Sequence, residues 1–512
     1  MSSTYLPMER SKNIVLLIAD DLGLHLNCYG CAVQTPNIDK LASQGIRFSK
    51  SFASTASCSG SRSTIYTGLH THENGQMGLA HGWNHFQTYD HIETMPQAFN
   101  ALGYQTGIIG KVHVGPTHAY PWEIREESGT RDPRWYARRV AAFVDRAKES
   151  GRSFHLTVGF RDPHRDDSRG GFGSDEDDVT TLGAPKYAAE DVEVPLFLTD
   201  LPEVRTELAH YYQAISRMDM GVGMIMDVIQ EKGLRDSTMV VFLSDNGAPF
   251  INSKTTLYDA GVKLPLIVRC PGSGAQGVVN PNITSFVDIF PTCLDWADAG
   301  NRCIQTASAG KSPRRLGRSF LPILGASSVL NQHDWQQWVF GSHTFHEIQN
   351  YWPTRFMRTH RFKYHRNVAW RLEFPFGTDL AVSMSWEAIR NAKQPVMIGG
   401  RPLEKYLFRG PEELFDLEND AEELRNLVDD PEYQDVLLNC RQELEKWQYR
   451  TRDAWLYRDS ISVVVSEAHQ KQGLKIPDRF ELDPNNPGNR VGKYWEPPEV
   501  KISGQENMMF AG

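Results

Sequence analysis

Short apolar runs alternate with amphipathic stretches over the first two-thirds of the chain. Strands that are buried on both faces show continuous apolar character, so five of these runs predict buried strands. They are NIVLLIA (13–19), QTGIIG (105–110), SFHLTVGF (153–160), TMVVFLS (238–244) and KLPLIVRC (263–270). Helical spacing predicts helices at 134–150 and 205–232. The pattern therefore predicts an α/β fold with a mainly parallel central sheet flanked by helices.

The pattern changes past residue 340, where short runs such as RFKYHRNV precede a helical stretch at 431–453. This texture predicts a smaller C-terminal α+β domain. The tail is rich in Pro, Asn and Gly, a composition typical of an irregular segment. We therefore expect a large domain over 12–340, a smaller domain over 341–470 and an irregular tail over 471–512.

Polar groups suited to chemistry directly follow four of the five predicted strands. In open α/β sheets, ligands gather at the carboxyl ends of the strands, so these groups are expected to lie together. In chain order they are Asp20 and Asp21, Lys111 and His113, His164 and Arg165, and Asp245 and Asn246.

The acidic members of this set indicate a metal site. Asp20, Asp21 and Asp245 would repel one another strongly unless a cation lay among them, with Asn246 adding an amide oxygen. An all-oxygen set suits Ca²⁺ or Mg²⁺ and not zinc. Each pair alone has an ordinary alternative, a helix cap for the first two aspartates and a turn for Asp245-Asn246.

The segment Cys58-Ser59-Gly60-Ser61-Arg62 leads into STIYTGL, which is typical of a helix start. A cysteine at a helix N-terminus near an arginine is placed for an activated, anionic role. The alternative is a small residue buried at a tight turn, and composition alone favours that alternative.

Composition narrows the function classes. The 512 residues are 40% apolar and 23% charged, as in a globular protein. A formal net charge of -9 argues against a general nucleic-acid binder. No signal-like or membrane-spanning apolar stretch is present, so we expect a cytoplasmic location and no membrane partner, or a lysosomal or secreted one if the N-terminus is incomplete. Cys28 and Cys31 form a lone CxxC, interpreted as reduced thiols.

Cys-Ser-Gly-Ser-Arg followed by STIYTGL resembles the sulfatase signature C-x-P-x-R. The remaining pieces follow in family order: TPNIDKLA (35–42), GKVH (110–113), DPHR (162–165), SDNG (244–247), Lys254 and ELFDLENDAEELRNL (413–427). Within this family, ENGQMGLAHGWNHF (73–86) and GSHTFHE (341–347) are most similar to the N-sulfoglucosamine sulfohydrolases, or sulfamidases.

The resemblance implies an alkaline-phosphatase-like fold and a formylglycine made from Cys58, with a formylglycine-generating enzyme as partner. It also implies one Ca²⁺ bound by Asp20, Asp21, Asp245, Asn246 and the modified Cys58. Roles carried over from the family are as follows: Arg62 holds the aldehyde hydrate, Lys111 and Lys254 bind sulfuryl oxygens, His164 is the acid and His113 the base.

The implied substrate is a sulfated sugar, most similar to the N-sulfate of glucosamine. His346 and Glu347 are candidates for recognising it, although an exposed His-Glu pair is equally often structural. Arg165 either binds a sugar carboxylate or covers the sheet edge. The oligomeric state stays open, with a homodimer as one alternative.

Two positions depart from the family pattern: Gly60 stands where the signature has proline, and Arg161 replaces a histidine. Three functions therefore remain open. The first is sulfamate hydrolysis, the second is O-sulfatase or phosphonate monoester hydrolase activity, and the third is sugar binding without catalysis if Cys58 stays unmodified.

Overall fold

The structure is a computed structural model. It describes residues 12–168, 170–173, 178–299, 312–393, 395–456, 471–472, 482–483 and 486–490. The predicted tail therefore lies almost wholly outside the described residues. Its described part includes an antiparallel pair of short strands, Leu482–Asp483 and Asn486–Arg490.

The large sheet has eight strands, and all five predicted runs belong to it. From one edge to the other the order is Ile124–Glu127, Gln105–Gly110, Phe154–Gly159, Asn13–Ala19, Thr238–Ser244, Leu266–Arg269, Ile46–Phe48 and Val278–Asn280. The first five strands pair in parallel. Leu266–Arg269 is antiparallel to both of its neighbours. The predicted α/β class with a mainly parallel sheet is confirmed.

Helices cover both faces of this sheet, so its central strand is buried on both sides. Along Asn13–Ala19, Val15 and Leu17 enter one hydrophobic core and Leu16 and Ile18 enter the other. The α-helices among the described residues are Pro36–Ser43, Cys58–Thr67, Thr71–Asn74, Met95–Ala101, Pro133–Ser150, Pro202–Glu231, Asp259–Val262, Ile289–Trp296, Thr378–Ala381, Met384–Arg390, Leu403–Leu407 and Gln434–Arg450. The three helices predicted from spacing are present within a few residues of their expected bounds.

A second, antiparallel sheet forms the C-terminal part. Its order is Trp338–His343, Thr354–Thr359, Phe362–Asn367 and Glu412–Asp416, and Gln434–Arg450 packs against it. Short pairs elsewhere join Ser51–Phe52 to Thr284–Ser285 and Met397–Ile398 to Arg401–Pro402. The first strand of the second sheet spans the predicted boundary between residues 340 and 341, and the division into domains stays a prediction.

The second sheet packs directly against the segment that precedes Cys58. Ser342 N–H donates to Ser54 O at 2.8 Å, and Thr55 Oγ1 lies 3.0 Å from His343 Nδ1. Both parts of the chain can therefore contribute to one site. Among the described helices, none combines the length and apolar character needed to cross a bilayer.

Candidate functional site

The acidic residues meet because two parallel strands end side by side. Ala19 pairs with Ser244, so Asp20-Asp21 and Asp245-Asn246 leave the sheet at the same level. Asp21 N–H donates to Asp245 Oδ1 at 3.1 Å, and Asn246 Nδ2 donates to Asp21 Oδ1 at 2.7 Å. All four side chains are fully buried. The predicted clustering at the strand ends is what the structure contains.

This cluster fits a hard cation. Ligand atoms of Asp20, Asp21, Asp245 and Cys58 all lie within 4.8 Å of one another. Asp20 Oδ1 and Asn246 Oδ1 are buried acceptors without a hydrogen-bond partner among the described residues. Burial, and then the charge of Asp20, raise the pKa of Asp245. A bound divalent ion would satisfy both orphaned oxygens and remove the repulsion that favours a proton on Asp245.

Cys58 is the first residue of the helix Cys58–Thr67 and is 1% exposed. Its Sγ lies 3.6 Å from Asp21 Oδ1, so it reaches the carboxylate cluster. Burial raises the pKa of the thiol well above its usual range, and the lowering effect of Lys111 and Lys254 does not offset this. For the unmodified thiol, burial outweighs the helix terminus and the nearby cations, so the buried small residue that composition favours describes Cys58 better than an activated thiolate.

Arg62 lies one helical turn beyond Cys58 and is fully buried. Its Nε donates to Asp245 Oδ2 at 2.9 Å, and its Nη1 donates to Lys111 O at 3.3 Å. The last contact depends on Gly159, where a Cβ atom would lie 2.2 Å from Lys111 O and 3.0 Å from Arg62 Nη1. Arg62 thus ties the helix to the ends of two strands, so that Cys58 is fixed beside the carboxylates.

Lys111 and Lys254 contact the carboxylate cluster. Lys111 Nζ donates to Asp20 Oδ2, and Lys254 Nζ donates to Asp21 Oδ2 at 2.7 Å. Lys254 is only 1% exposed and Lys111 12%. A cation that neutralised Asp20 and Asp21 would leave N–H groups of both ammonium groups available to an anionic ligand.

His164 lies at the cavity wall with one defined tautomer. Its Nδ1 lies 2.6 Å from the Arg165 carbonyl oxygen, which can only accept, so Nδ1 carries a hydrogen. The Nε2 atom then faces Lys254 Nζ at 3.4 Å and Asp21 Oδ2 at 3.7 Å. Burial, and then the charge of Lys254, lower the His164 pKa. In the neutral ring Nε2 is an acceptor, and in the imidazolium it is a donor pointing at the site.

His113 is held by a second histidine that the sequence interpretation missed. His113 Nε2 lies 2.7 Å from His81 Nδ1, and His113 Nδ1 is buried without a hydrogen-bond partner among the described residues. Burial, and then Lys111, lower the pKa of both rings. His81 lies within the tract 73–86 that carried the sulfamidase resemblance, which was the available signal for it.

A cavity of about 530 Å³ opens above Cys58 and joins these groups. Cys58, Lys111, His113, His164 and Lys254 all line it, as the sequence predicted for one site. Its other lining residues are Leu79, His81, Glu127, Ser128, Gly129, Arg161, Asp167, His346, Glu347 and Asp379. Arg161, which replaces the histidine of the family pattern, therefore lines the same cavity.

His346 and Glu347 bring the second sheet's side of the molecule to this cavity. His346 is buried, and its Nδ1 lies 2.9 Å from the hydroxyl of Ser57, the residue before Cys58. Burial, and then Lys254, lower the His346 pKa to about 3. Glu347 Oε2 accepts from Thr378 N–H at 3.1 Å and Thr378 Oγ1 at 2.9 Å. Both candidates thus have structural bonds and also face the cavity.

Arg165 has a structural role, and the sugar-carboxylate alternative is corrected accordingly. Its Nη1 and Nη2 donate to the two oxygens of Glu207 at 2.8 Å each, and its Nε donates to Pro249 O at 2.8 Å. The side chain is 4% exposed. Each guanidinium nitrogen donates inside the protein, and Arg165 is not among the residues that line the cavity.

Asp379 is the second residue that the sequence interpretation missed. Its Oδ2 accepts from Lys254 Nζ at 2.6 Å, and it lines the cavity. It stands in the plain tract FGTDLA, which carries no motif, so only the tertiary structure could bring it to Lys254.

Comparisons with known proteins show which proteins the chain is similar to. A family model described as Sulfatase matches residues 12–299. N-sulphoglucosamine sulphohydrolase of Homo sapiens is 34% identical over 473 residues, which is 87% of this chain and 92% of that protein. A solved sulfated-sugar complex, with its substrate D-glucosamine-2-N,6-O-disulfate, has a TM-score of 0.61 at 18% identity and covers 86% of this chain and 98% of that chain. The phosphonate monoester hydrolase of Agrobacterium radiobacter has a TM-score of 0.57 at 18% identity, covering 86% and 96%.

Proposed function

Because the chain belongs to the sulfatase family, we propose that it hydrolyses a sulfamate or sulfate ester, and specifically the N-sulfate of glucosamine residues. The observation that carries the proposal is the arrangement around Cys58. A carboxylate cluster suited to a cation lies behind it, and two lysines and two histidines surround the cavity in front of it. One site therefore contains the source of a nucleophile, cations that can bind an anion, and groups that can transfer protons.

Two groups implied by the family would complete the site. When present, a formylglycine made from Cys58 supplies a hydrated aldehyde as nucleophile, and Ca²⁺ neutralises the carboxylates and polarises the sulfuryl oxygens. Asp20, Asp21, Asp245 and Asn246 would hold the ion together with the modified Cys58. A formylglycine-generating enzyme is then a required partner of this chain.

The remaining side chains act on charge and protons. Lys111 and Lys254 bind the sulfuryl oxygens, since fixed cations in a largely buried pocket stabilise charge that develops there. In its imidazolium form, His164 donates from Nε2 to the departing nitrogen, which is too poor a leaving group to depart unprotonated. His113, fixed by His81, would be the base of the site.

The sugar would lie against His346 and Glu347, which also line the cavity. The human relative is named for N-sulphoglucosamine, and the structural neighbour was solved with a glucosamine that carries both an N-sulfate and a 6-O-sulfate. A volume of about 530 Å³ is in the range of cavities that hold one small ligand, such as a single sugar ring with its sulfate.

Rates on three substrates test the proposal. The purified protein, expressed with a formylglycine-generating enzyme and supplied with Ca²⁺, is assayed on N-sulfoglucosamine, an aryl sulfate and an aryl phosphonate. We expect the highest kcat/KM on N-sulfoglucosamine. A higher value on the aryl sulfate or the phosphonate would replace this specificity with the corresponding alternative, and binding of N-sulfoglucosamine without turnover would indicate a sugar-binding protein.

A further inference from the structure

Lys254 bridges two carboxylates that have different neighbours. Its Nζ donates to Asp21 Oδ2 at 2.7 Å and to Asp379 Oδ2 at 2.6 Å, and the ammonium is almost fully buried. Asp21 belongs to the cluster suited to a cation, whereas Asp379 does not. When a cation takes Asp21, Asp379 is the carboxylate that stays with Lys254.

The residues just before Asp379 are held by His346 and Glu347. The preceding Thr378 is bound through its N–H and its hydroxyl to Glu347. Gly377 packs against His346 so closely that a Cβ atom would lie 2.8 Å from His346 Cδ2. The helix Thr378–Ala381 therefore begins at a fixed point on the cavity wall, and Asp379 is fixed with it.

Lysine needs such a partner more than arginine would. Its four-carbon stem has several rotatable bonds, and holding the ammonium in one geometry costs rotamer entropy. A second hydrogen-bond acceptor, Asp379 Oδ2, holds Nζ at one point of the cavity lining, 3.4 Å from His164 Nε2.

We propose that Asp379 is a positioning residue that holds the Lys254 ammonium against the cavity wall, aimed at a sulfuryl oxygen, when a cation occupies the carboxylate cluster. The inference rests on the proposed function for its choice of anion. It assigns to the segment after residue 299, outside the part matched by the Sulfatase family model, a direct influence on the anion-binding group.

Simple charge arithmetic predicts the opposite effect, which makes the proposal testable. Replacing Asp379 by asparagine removes a negative charge about one hydrogen bond away from an anion-binding lysine. If only through-space charge mattered, an anion would bind more tightly. If Asp379 positions Lys254, the anion binds more weakly and turnover falls.

The experiment is a double-mutant cycle of Asp379→Asn and Lys254→Met in the full chain with Ca²⁺ added. Two quantities are measured in each variant: the Kd for inorganic sulfate by calorimetry, and kcat/KM for N-sulfoglucosamine. Asp167→Asn is the matched control, because it removes the same charge from the lining of the same cavity. Thermal unfolding of each variant verifies that it is folded, and Lys254→Gln replaces Lys254→Met if the latter fails to fold.

With Lys254 present, Asp379→Asn should weaken sulfate binding by about tenfold and lower kcat/KM by roughly 10- to 100-fold. In the Lys254→Met background the same change should alter both by no more than about twofold. Equal losses in both backgrounds would overturn the proposal. Tighter sulfate binding in Asp379→Asn, which is what the loss of a negative charge alone predicts for it and for Asp167→Asn, would also overturn it. The sulfate measurement needs no turnover, so it stands even if the chain does not hydrolyse N-sulfoglucosamine.

Discussion

Replacing Arg165 by methionine should destabilise the fold and leave substrate recognition nearly unchanged. The guanidinium forms a two-bond ion pair with Glu207, whose side chain is fully buried, and it lies 4.8 Å from the ring centres of Phe172 and Phe250. Glu207 Oε1 also accepts from Met384 N–H at 2.9 Å, so the pair holds the start of the helix Met384–Arg390.

The expected loss is large because one partner is removed and the other stays buried. Breaking a buried pair in this way costs about 3–5 kcal/mol. Replacing both partners at once, as Arg165→Met with Glu207→Leu, should cost less than Arg165→Met alone, although the Met384 N–H then loses its acceptor.

The pair also sets a pH dependence. Burial alone would raise the pKa of Glu207, but Arg165 lowers it below its ordinary value of 4.5. A depressed folded-state pKa means that the pair stabilises the protein above that ordinary value and that this stability is lost as the pH falls through the folded-state pKa. In Arg165→Met burial acts on Glu207 without that compensation, so the stability lost relative to the wild type should be largest near neutral pH and should shrink as the pH falls below 4.5.

Denaturant unfolding of the wild type, both single variants and the double variant measures these free energies. Alongside it, KM for N-sulfoglucosamine is measured in Arg165→Met at a temperature where the variant is folded. Unchanged stability together with a KM raised tenfold or more, by roughly 1.4 kcal/mol of lost binding, would refute the structural role and restore the sugar-carboxylate interpretation.

Three further predictions concern the site. Gly60→Ala should lower the free energy of unfolding by about 1–3 kcal/mol, because a Cβ at residue 60 would lie 2.9 Å from Thr55 Cγ2. Adding Thr55→Ser, which removes that methyl group, should recover part of the loss. Equal melting temperatures for Gly60→Ala and the double variant would contradict the crowding. Cys58→Ala should abolish turnover with a nearly unchanged Tm, and normal turnover in that variant would exclude Cys58 as the source of the nucleophile. His81→Ala should lower kcat by about tenfold or more, since His113 loses its 2.7 Å partner, while unfolding stays unchanged; an unaltered kcat would remove His81 from the mechanism.

The strand-end residues were predictable because two rules combine there. Continuous apolar runs identify buried strands, and the polar residues after each run must lie at one edge of a parallel sheet. Asp20 and Asp245 meet for that reason alone. The order of the strands was not predictable, and neither was the antiparallel direction of Leu266–Arg269, since both depend on long-range pairing.

The errors and omissions have a common cause. The helix position of Cys58 indicates an activated thiol only locally, whereas burial, which the sequence does not give, decides the pKa of the thiol. Arg165 was interpreted without knowledge of Glu207, its partner 42 positions away. Asp379 and His81 become functional candidates through single tertiary contacts, to Lys254 and to His113. Side-chain partners distant in sequence leave no local signal.

Peptide mass spectrometry of the segment spanning Cys58, from protein made in its native host, tests the central role of this residue most directly. We expect the peptide mass to be lower by the difference between a CH₂SH and a CHO group, and the converted fraction to parallel the specific activity on N-sulfoglucosamine. Full turnover from protein whose Cys58 is entirely unmodified, or complete conversion without any sulfatase activity in the presence of Ca²⁺, would contradict that role.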